Sequence, residues 1–454
     1  MIRVFLTLTL TMVLLPAAAR ADEASLRIAI FEADITPPLG TPLCDGLVMP
    51  AKEIVDPLMA RGSVLLTSER PIVLCAMDWV GVGNSGYEAF REALAKAAGT
   101  TRERVAVHCL HPHDAPGCDF EANDLLVPYK LGGKLFDPKF ARLAIERVAA
   151  AVARSIKKPL AVTHIGTGKA KVFEVASSRR PLGPDGKVKF VRYSATKDPK
   201  MRDEPEGVID PYVQVLSFWD GDRPLASLTY YATHPQSYYG KGGVSCDFPG
   251  LARGRRDRAL PNVAHIHFNG AGGNITAGKY NDGSPGNRPV LADRLAKGMK
   301  EAFDSVKKSP VTGKDVAWRV VPVALPLSKI YNTKDLKSRV ANDKVAPLDR
   351  MRAARAHVWA RRCENGEKID LTCLRVGPAY VLHMPGELFV EYQLAAQKLR
   401  PDSPVMMAAY GDYGPGYIGT AISYTQGGYE TGPVSRVAPE VEPVLTRAMQ
   451  ELLK

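Results

Sequence analysis

Hydrophobic and polar positions along the chain switch between two periods, which predicts strands interleaved with helices. Residues 26–33 and 72–80 have the alternating or continuously apolar pattern of strands. Residues 87–98 and 139–156 instead have apolar positions at the spacing of one helix face. Residues 212–232 contain two strand-like runs around an Asp-Gly-Asp turn, which indicates a hairpin. The alternation as a whole predicts an α/β fold.

Two long segments depart from this alternation. Residues 177–208 are basic and rich in Pro and Asp, without a regular period, which predicts a long surface loop of a kind that often carries function. Residues 335–362 are charged and have helical spacing, which predicts one long helix. No internal repeat or linker divides the chain, so we expect residues 22–454 to form a single domain.

The first 21 residues predict a secretory signal peptide. Arg3 precedes an apolar run that ends before Pro16, and Ala19-Arg20-Ala21 has the small-x-small pattern of a cleavage site. The apolar run, residues 4–15, is shorter than the roughly 20 residues that span a bilayer. We therefore expect the protein to be secreted or periplasmic.

The composition, 45% hydrophobic and 24% charged, is that of a globular protein. The formal net charge of +12 favours anionic surfaces or substrates. We do not expect nucleic acid as a partner, because the basic residues are scattered, the aromatic content is only 7% and no nucleic-acid-binding motif is present. The densest basic run, residues 253–258, is interpreted as a solvated helix face.

Seven cysteines are present, so at least one is unpaired even in an oxidising compartment. None forms a CxxC pair, which argues against a thiolate metal site. Cys75 and Cys109 lie in apolar, strand-like runs and are predicted to be buried thiols. Cys363 and Cys373 enclose a short loop and are the best candidates for a disulfide.

Three of the nine histidines lie within residues 108–113, which follow or end a predicted strand. Alternate residues of an extended segment share a face, so His111 and His113 can point at one centre. Imidazole is the commonest neutral metal ligand and suits zinc. The alternative is that these histidines only make local hydrogen bonds.

Two further segments strengthen the prediction of a metal site. His234 follows a predicted strand, and Glu387 stands at a turn before a predicted helix. Strand ends followed by turns are where α/β proteins place their sites. Two histidines and a carboxylate make a catalytic zinc set with an open position, whereas structural zinc usually has four ligands that include cysteine. In the alternative interpretation, Glu387 only caps its helix.

These segments, in this order, resemble the N-terminal catalytic domain of the neutral/alkaline ceramidase family. The resemblance extends over nearly the whole chain after the leader, and it implies mixed sheets flanked by helices. Each motif is weak alone, but the ordered series is specific. The other motifs of the series are Asp34-Ile-Thr-Pro-Pro, Asp56-Pro57-Leu-Met-Ala-Arg61, Asp78, Ser178-Arg179-Arg180-Pro181, Ile209-Asp210-Pro211, Tyr417-Ile-Gly-Thr420 and Gln426-Gly-Gly-Tyr429-Glu430.

The resemblance implies four ligands for one zinc ion, namely His111, His234, Glu387 and Tyr417. It also implies that His113 lies beside the metal and that Tyr429 faces the scissile group. A tyrosine ligand is chemically reasonable, because bound zinc lowers the pKa of water and can do the same for a phenol.

The sequence departs from the family's pattern in three places. The family's His-Thr-His-Ser-Gly is here His111-Pro-His113-Asp-Ala, so both histidines persist beside a proline and an acid. The family's Gly-Asp-Val-Ser matches Gly-Asn-Ile-Thr, which puts Thr276 in the place of a serine sometimes assigned as nucleophile. The chain ends soon after Tyr429, so we expect no C-terminal immunoglobulin-like domain.

Together these features predict an exported zinc-dependent hydrolase in which activated water attacks the amide carbonyl of a lipid or small-molecule N-acyl substrate. His113 and Tyr429 would stabilise the oxyanion or move the proton, and Thr276 would orient groups rather than attack. A lipid substrate also implies peripheral contact with a membrane. We expect neither an obligate protein partner nor a nucleotide cofactor.

Two alternatives stay open. One is a zinc esterase or deacetylase that acts on a polysaccharide or another non-lipid substrate. The other is a binding protein that kept the fold and lost the chemistry, with Pro112 and Thr276 marking that loss.

Overall fold

The computed structural model describes residues 25–454, and the predicted signal peptide, residues 1–21, lies outside them. The strands of the first part of the chain are β1 (Leu26–Asp34), β2 (Glu53–Ile54), β3 (Met59–Leu66), β4 (Ile72–Met77), β5 (Gly81–Val82), β6 (Val105–Cys109), β7 (Gly117–Cys118), β8 (Leu160–Val162), β9 (His164–Lys171) and β10 (Ser177–Ser178). The later strands are β11 (Tyr212–Asp220), β12 (Arg223–Tyr231), β13 (Gly243–Val244), β14 (Ala264–Asn269), β15 (Ile275–Thr276), β16 (Lys307–Pro310), β17 (Val316–Val323), β18 (Ile369–Val376), β19 (Ala379–His383), β20 (Glu387–Leu388), β21 (Val405–Ala408) and β22 (Tyr417–Ile418).

The helices complete the element order. They are α1 (Ser85–Ala98), α2 (Phe120–Leu126), α3 (Pro138–Ser155), α4 (Pro199–Asp203), α5 (Asp247–Ala259), α6 (Asn287–Asp304), α7 (Thr333–Ala341), α8 (Pro347–Glu364), α9 (Val390–Leu399), α10 (Ala421–Gln426) and α11 (Val441–Leu452). Across residues 25–454, no helix is both long enough and apolar enough to cross a membrane.

Three mixed sheets form the centre of the fold, which confirms the α/β prediction. Their strand orders are β6-β4-β3-β1-β8, β14-β12-β11-β9-β16 and β17-β18-β19-β21. Each sheet is antiparallel except for one parallel pair at its edge: β4 with β6, β12 with β14, and β19 with β21. The carboxyl ends of the strands in a parallel pair lie at the same sheet edge, so each sheet presents one such edge.

The three sheets share one buried core. Side chains from the first sheet, such as Ile28 and Leu74, belong to the same apolar cluster as Phe218 of the second sheet and Val381 of the third. Helices cover the opposite face of the first sheet. In α3, Asp137 caps the first turn by accepting hydrogen bonds from the backbone N–H groups of Lys139 and Phe140.

Residues 335–362 do not form the single helix that their spacing predicts. The structure has two helices there, α7 and α8, separated by residues 342–346. Pro347 begins α8, and Ala346 before it has an extended backbone with ψ of 140°. Proline disfavours helical backbone in the preceding residue and has no N–H to continue a helix, so the break has a local cause.

The basic run 253–258 is not the solvated face that the charge pattern predicts. Arg253 and Arg256 are buried, and Arg253 donates two hydrogen bonds of 2.8 and 2.7 Å to the carboxylate of Asp78. The pair joins α5 to the end of β4, so part of this basic run stabilises the core rather than the surface.

The seven cysteines all lie among the described residues, and all are free thiols. The proposed pairing of Cys363 with Cys373 is therefore wrong. Cys373 is buried on β18, whereas Cys363 lies near the end of α8. The predicted burial of Cys75 and Cys109 is confirmed.

We expect Gly62→Ala to destabilise the first sheet. A Cβ at Gly62 would lie 2.1 Å from the Leu74 carbonyl oxygen and 2.3 Å from the Phe31 ring. Overpacking of this kind costs about 1–3 kcal/mol, measurable by urea unfolding. Gly254→Ala is the matched control, because its nearest neighbour is a flexible Arg258 side chain at 3.8 Å. This change inside α5 should raise stability, and an equal loss in both variants would contradict the prediction.

Candidate metal centre

The carboxyl edges of the three sheets meet at one place. The backbone N–H of Cys109 at the end of β6 donates to Tyr410 just after β21 (2.9 Å), and Ala409 N–H donates to Asn269 at the end of β14 (3.0 Å). His111 follows β6 and His234 follows β12. Segments that are distant in sequence therefore present their side chains to a common centre, as α/β topologies do at strand ends.

His111 is held in a strained backbone with its ring aimed inward. Its φ is +72°, which is uncommon for a residue with a side chain and is typical of functional sites. Its Nδ1 hydrogen-bonds to the Val80 carbonyl oxygen. Its Nε2 is buried without a hydrogen bond from any described residue and lies 3.3 Å from Glu387 Oε2.

His234 has the same arrangement from the second sheet. Its Nδ1 lies 2.7 Å from the Gly272 carbonyl oxygen, and its Nε2 lies 3.0 Å from Glu387 Oε2. Tyr417 Oη is 3.2 Å from the same Nε2. Burial is the main cause that lowers the pKa of His234, so the ring is neutral near pH 7.

The hydrogen bonds at Nδ1 decide the tautomer of both rings. A carbonyl oxygen only accepts, so Nδ1 must carry the proton and Nε2 of a neutral ring must be a lone pair. Both lone pairs then face Glu387 Oε2, which is itself an acceptor. Three acceptors that converge in this way call for a cation between them.

The donor distances suit zinc. Donor atoms of a tetrahedral zinc site with bonds of about 2.0–2.1 Å are roughly 3.3 Å apart. The pairs that involve Glu387 Oε2 and His234 Nε2 are 3.0–3.3 Å apart. Glu387 and Tyr417 are register partners in the parallel pair β20 and β22, which puts both side chains on the same face. The four residues that the resemblance implies as ligands therefore lie together, and these three donor distances fit zinc.

Arg179 lies against this donor set. Its Nη1 donates a 2.9 Å hydrogen bond to Tyr417 Oη, and the same nitrogen is 3.4 Å from His234 Nε2. Burial raises the pKa of Tyr417 well above its usual value, and the Arg179 cation opposes that rise. Arg179 belongs to a motif of the resemblance, but the sequence does not assign it a role. The sequence contains many arginines, so only the contact with Tyr417 identifies Arg179 as part of the site.

His113 also belongs to the cluster. One ring nitrogen from each of His111, His113 and His234 lies within 4.8 Å of the others, a grouping that could hold a metal ion. The His113 ring is 4.6 Å from the His111 ring, and its Nδ1 hydrogen-bonds to the His111 carbonyl oxygen at 3.1 Å. Burial and the adjacent imidazoles lower the pKa of His113 well below its usual value. His113 is therefore a neutral imidazole with Nε2 as an acceptor.

Tyr429 and Thr276 have different surroundings. Tyr429 is 41% exposed, and its ring lies 5.8 Å from the Tyr417 ring, at the outer side of the donor set. Burial and the Glu387 charge raise the pKa of Tyr429 to about 12, so its hydroxyl is a neutral donor. Thr276 is fully buried, and its hydroxyl donates to the Tyr193 carbonyl oxygen at 3.3 Å and accepts from Gly278 N–H. This hydroxyl is occupied by loop backbone.

Asp114, which stands where the family's motif has a serine, anchors a neighbouring loop. Its Oδ1 accepts a 2.8 Å hydrogen bond from the N–H of Gly240, and Arg288 lies 4.0 Å from its Oδ2. Burial raises the pKa of Asp114 to about 6. The hydrogen bond joins the histidine segment to the loop that carries Tyr239, whose ring is 5.0 Å from that of His113.

No family model and no curated protein matches the chain by sequence. Solved structures do match. A ceramidase complexed with C2 has a TM-score of 0.68 and 16% identity, with 94% of this chain and 75% of that chain covered. Neutral ceramidase from Pseudomonas aeruginosa has a TM-score of 0.67 and 16% identity, with 95% and 74% covered. The chain has the neutral ceramidase fold. The resemblance expected from the sequence motifs is confirmed at the level of the ceramidase fold.

We expect Glu430→Ala to be strongly destabilising in this ceramidase fold. Glu430 is fully buried and lies 3.1 Å from Arg179 and 3.0 Å from Arg180. Its removal leaves two buried guanidinium groups uncompensated, which costs about 3–5 kcal/mol in the free energy of unfolding by urea. Asp304→Ala is the control, because it removes an exposed partner of Lys300 and should cost less than about 1 kcal/mol. Similar losses in the two variants would count against the buried network.

Proposed function

We propose that the chain is an exported zinc-dependent hydrolase that cleaves an N-acyl (amide) bond. The observation that carries the proposal is the convergence of two imidazole lone pairs on one oxygen of Glu387. The ceramidase fold supports the reaction class, and the signal peptide predicted for residues 1–21 supports export.

Zinc is the metal we propose for this donor set. Two imidazoles, a carboxylate and a phenol are nitrogen and oxygen donors of the kind zinc accepts, and the free cysteines lie outside the set. The chemistry that zinc supplies in such sites is polarisation of a carbonyl and generation of a nucleophile from water near neutral pH.

The residues around the donors provide acid–base and charge stabilisation. His113 is neutral and presents Nε2 as an acceptor, so it can take a proton and deliver it to the leaving amine. Tyr429 keeps its proton and can donate a hydrogen bond to the developing oxyanion. Arg179 adds a fixed positive charge beside Tyr417. Thr276 shapes the loop instead of attacking, because its hydroxyl is bonded to backbone.

The proposed substrate is a ceramide-like N-acyl lipid, with peripheral contact to a lipid surface during turnover. The two similar solved structures are those of ceramidases. Tyr193 and Tyr429 are 54% and 41% exposed and their rings are 6.1 Å apart, so the side of the donor set that contains Tyr429 is open and partly apolar. A substrate larger than the reacting group can enter there.

The metal proposal is tested with His111→Ala and His234→Ala. Each change removes a donor of the cluster, so zinc content should fall from about one per chain to near zero, and hydrolysis of a fluorogenic N-acyl substrate should fall with it. Elemental analysis and initial rates measure the two effects. His164→Ala is the control, because His164 is partly exposed on β9 and bonds Thr163. Full activity in either cluster variant would refute the assignment.

Matched substrates test the bond and the acyl chain. A long-chain N-acyl sphingoid amide should be hydrolysed with a higher kcat/KM than the acetyl amide or the corresponding ester. The rates are measured with the zinc-loaded protein and again after chelation. Preference for acetylated polysaccharide would favour a deacetylase. Zinc binding without any hydrolysis would favour the non-catalytic alternative.

A further inference from the structure

The two oxygens of Glu387 have separate surroundings. Oε2 faces the imidazoles of His111 and His234. Oε1 accepts a 2.7 Å hydrogen bond from the hydroxyl of Tyr413. A carboxylate has no donor of its own, so the phenol must be the donor in this contact. Oε2 therefore faces the histidine cluster, and Oε1 is hydrogen-bonded to Tyr413 on the other side of the carboxylate.

Tyr413 is itself fixed in place by a buried ion pair. The guanidinium of Arg355 lies 5.0 Å from the centre of the Tyr413 ring, within the range of a cation–π contact. Arg355 is paired with the carboxylate of Asp45, which is buried and has a left-handed backbone with φ of +55°. An exposed pair would contribute little, but the Arg355 and Asp45 side chains are only 13% and 10% exposed, so this geometry is costly to change.

Two glycines make room for these groups. Gly81 and Gly117 are register partners in the short parallel pair β5 and β7. A Cβ at Gly81 would lie 2.7 Å from the ring of Tyr413, and a Cβ at Gly117 would lie 2.1 Å from the Asp45 carboxylate. Strand β5, which carries Gly81, follows directly on Val80, whose carbonyl oxygen bonds His111 Nδ1. The Tyr413 ring and the His111 ring therefore lie against consecutive residues of the chain, Gly81 and Val80.

We propose that Tyr413 is a positioning residue that sets the rotation of the Glu387 carboxylate and thereby strengthens metal binding. The proposal rests on the proposed function for the identity of the metal. The terminal torsion of glutamate is broad, so the carboxylate can turn unless a hydrogen bond holds it. Hydrogen bonds to ligating carboxylates typically change metal affinity by 10- to 100-fold.

The test is Tyr413→Phe, which keeps the ring over Arg355 and removes only the hydroxyl. We expect the dissociation constant for zinc to rise by about 10- to 100-fold. Competition between the metal-free protein and a chromophoric chelator measures it. The visible absorption of the cobalt-substituted protein should also change, because the carboxylate would bind in a different orientation. A merely structural role of Tyr413 would not alter that spectrum.

Tyr230→Phe is the matched control. Tyr230 is also a buried tyrosine, but its hydroxyl has no hydrogen-bond partner among the described residues and its ring stacks on Phe268. The zinc affinity of the Tyr230→Phe variant should equal that of the unmodified protein. The melting temperature of each metal-free variant shows whether loss of affinity follows loss of stability.

The outcomes separate this inference from the proposed function. Equal zinc affinity and equal cobalt spectra in Tyr413→Phe and the unmodified protein would overturn the role of Tyr413 while leaving a zinc hydrolase intact. Zinc binding could instead be weaker in Tyr413→Phe but not in Tyr230→Phe, while the unmodified protein hydrolyses no N-acyl substrate. That result would support the positioning role of Tyr413 and contradict the proposed function. Failure of the unmodified protein to bind zinc would overturn both.

Discussion

The centre of this structure depends on one electrostatic constraint: two imidazole lone pairs and a carboxylate oxygen are held against one another. The carbonyl oxygens of Val80 and Gly272 accept from Nδ1 of the two rings, so each ring in its neutral form presents only the Nε2 lone pair to Glu387. This arrangement is unfavourable without a cation and favourable with one. The strain at His111, with φ of +72°, belongs to the same constraint, because that backbone aims its ring at the centre.

The fold satisfies this constraint by bringing three sheet edges together. His111, His234 and Glu387 follow strands of three different sheets, and backbone hydrogen bonds between the strand ends join those sheets. Close contact between loops is also required. A Cβ at Gly273 would lie 2.2 Å from the Glu387 carbonyl oxygen, so a glycine there lets the loop after β14 pack on β20. The glycines near residue 270 therefore allow close packing between loops.

The sequence predicts the elements and donors whose signals are local, and it does not predict contacts between distant segments. His111 and His113 are two residues apart after a strand, and that spacing is sufficient to place them together. Arg179 bonds Tyr417, which is 238 residues away, and Tyr413 bonds Glu387, which is 26 residues away. Neither contact can be predicted from hydrophobic periodicity or motif spacing. The buried position of Arg253 has the same origin, because its partner Asp78 is 175 residues away.

The departures from the family's motifs lie around the donor set and not within it. Asp114, which replaces a hydroxyl residue, anchors the Gly240 loop, and the Thr276 hydroxyl is bonded to loop backbone. Both side chains are thus bonded to loop backbone. In the donor set, Glu387 Oε2 lies 3.3 Å from His111 Nε2 and 3.0 Å from His234 Nε2, and Tyr417 Oη lies 3.2 Å from His234 Nε2. A reaction depends on its donor atoms, whereas substrate choice depends on the walls. The same fold can thus keep one donor set while the residues around that set change and alter the choice of substrate.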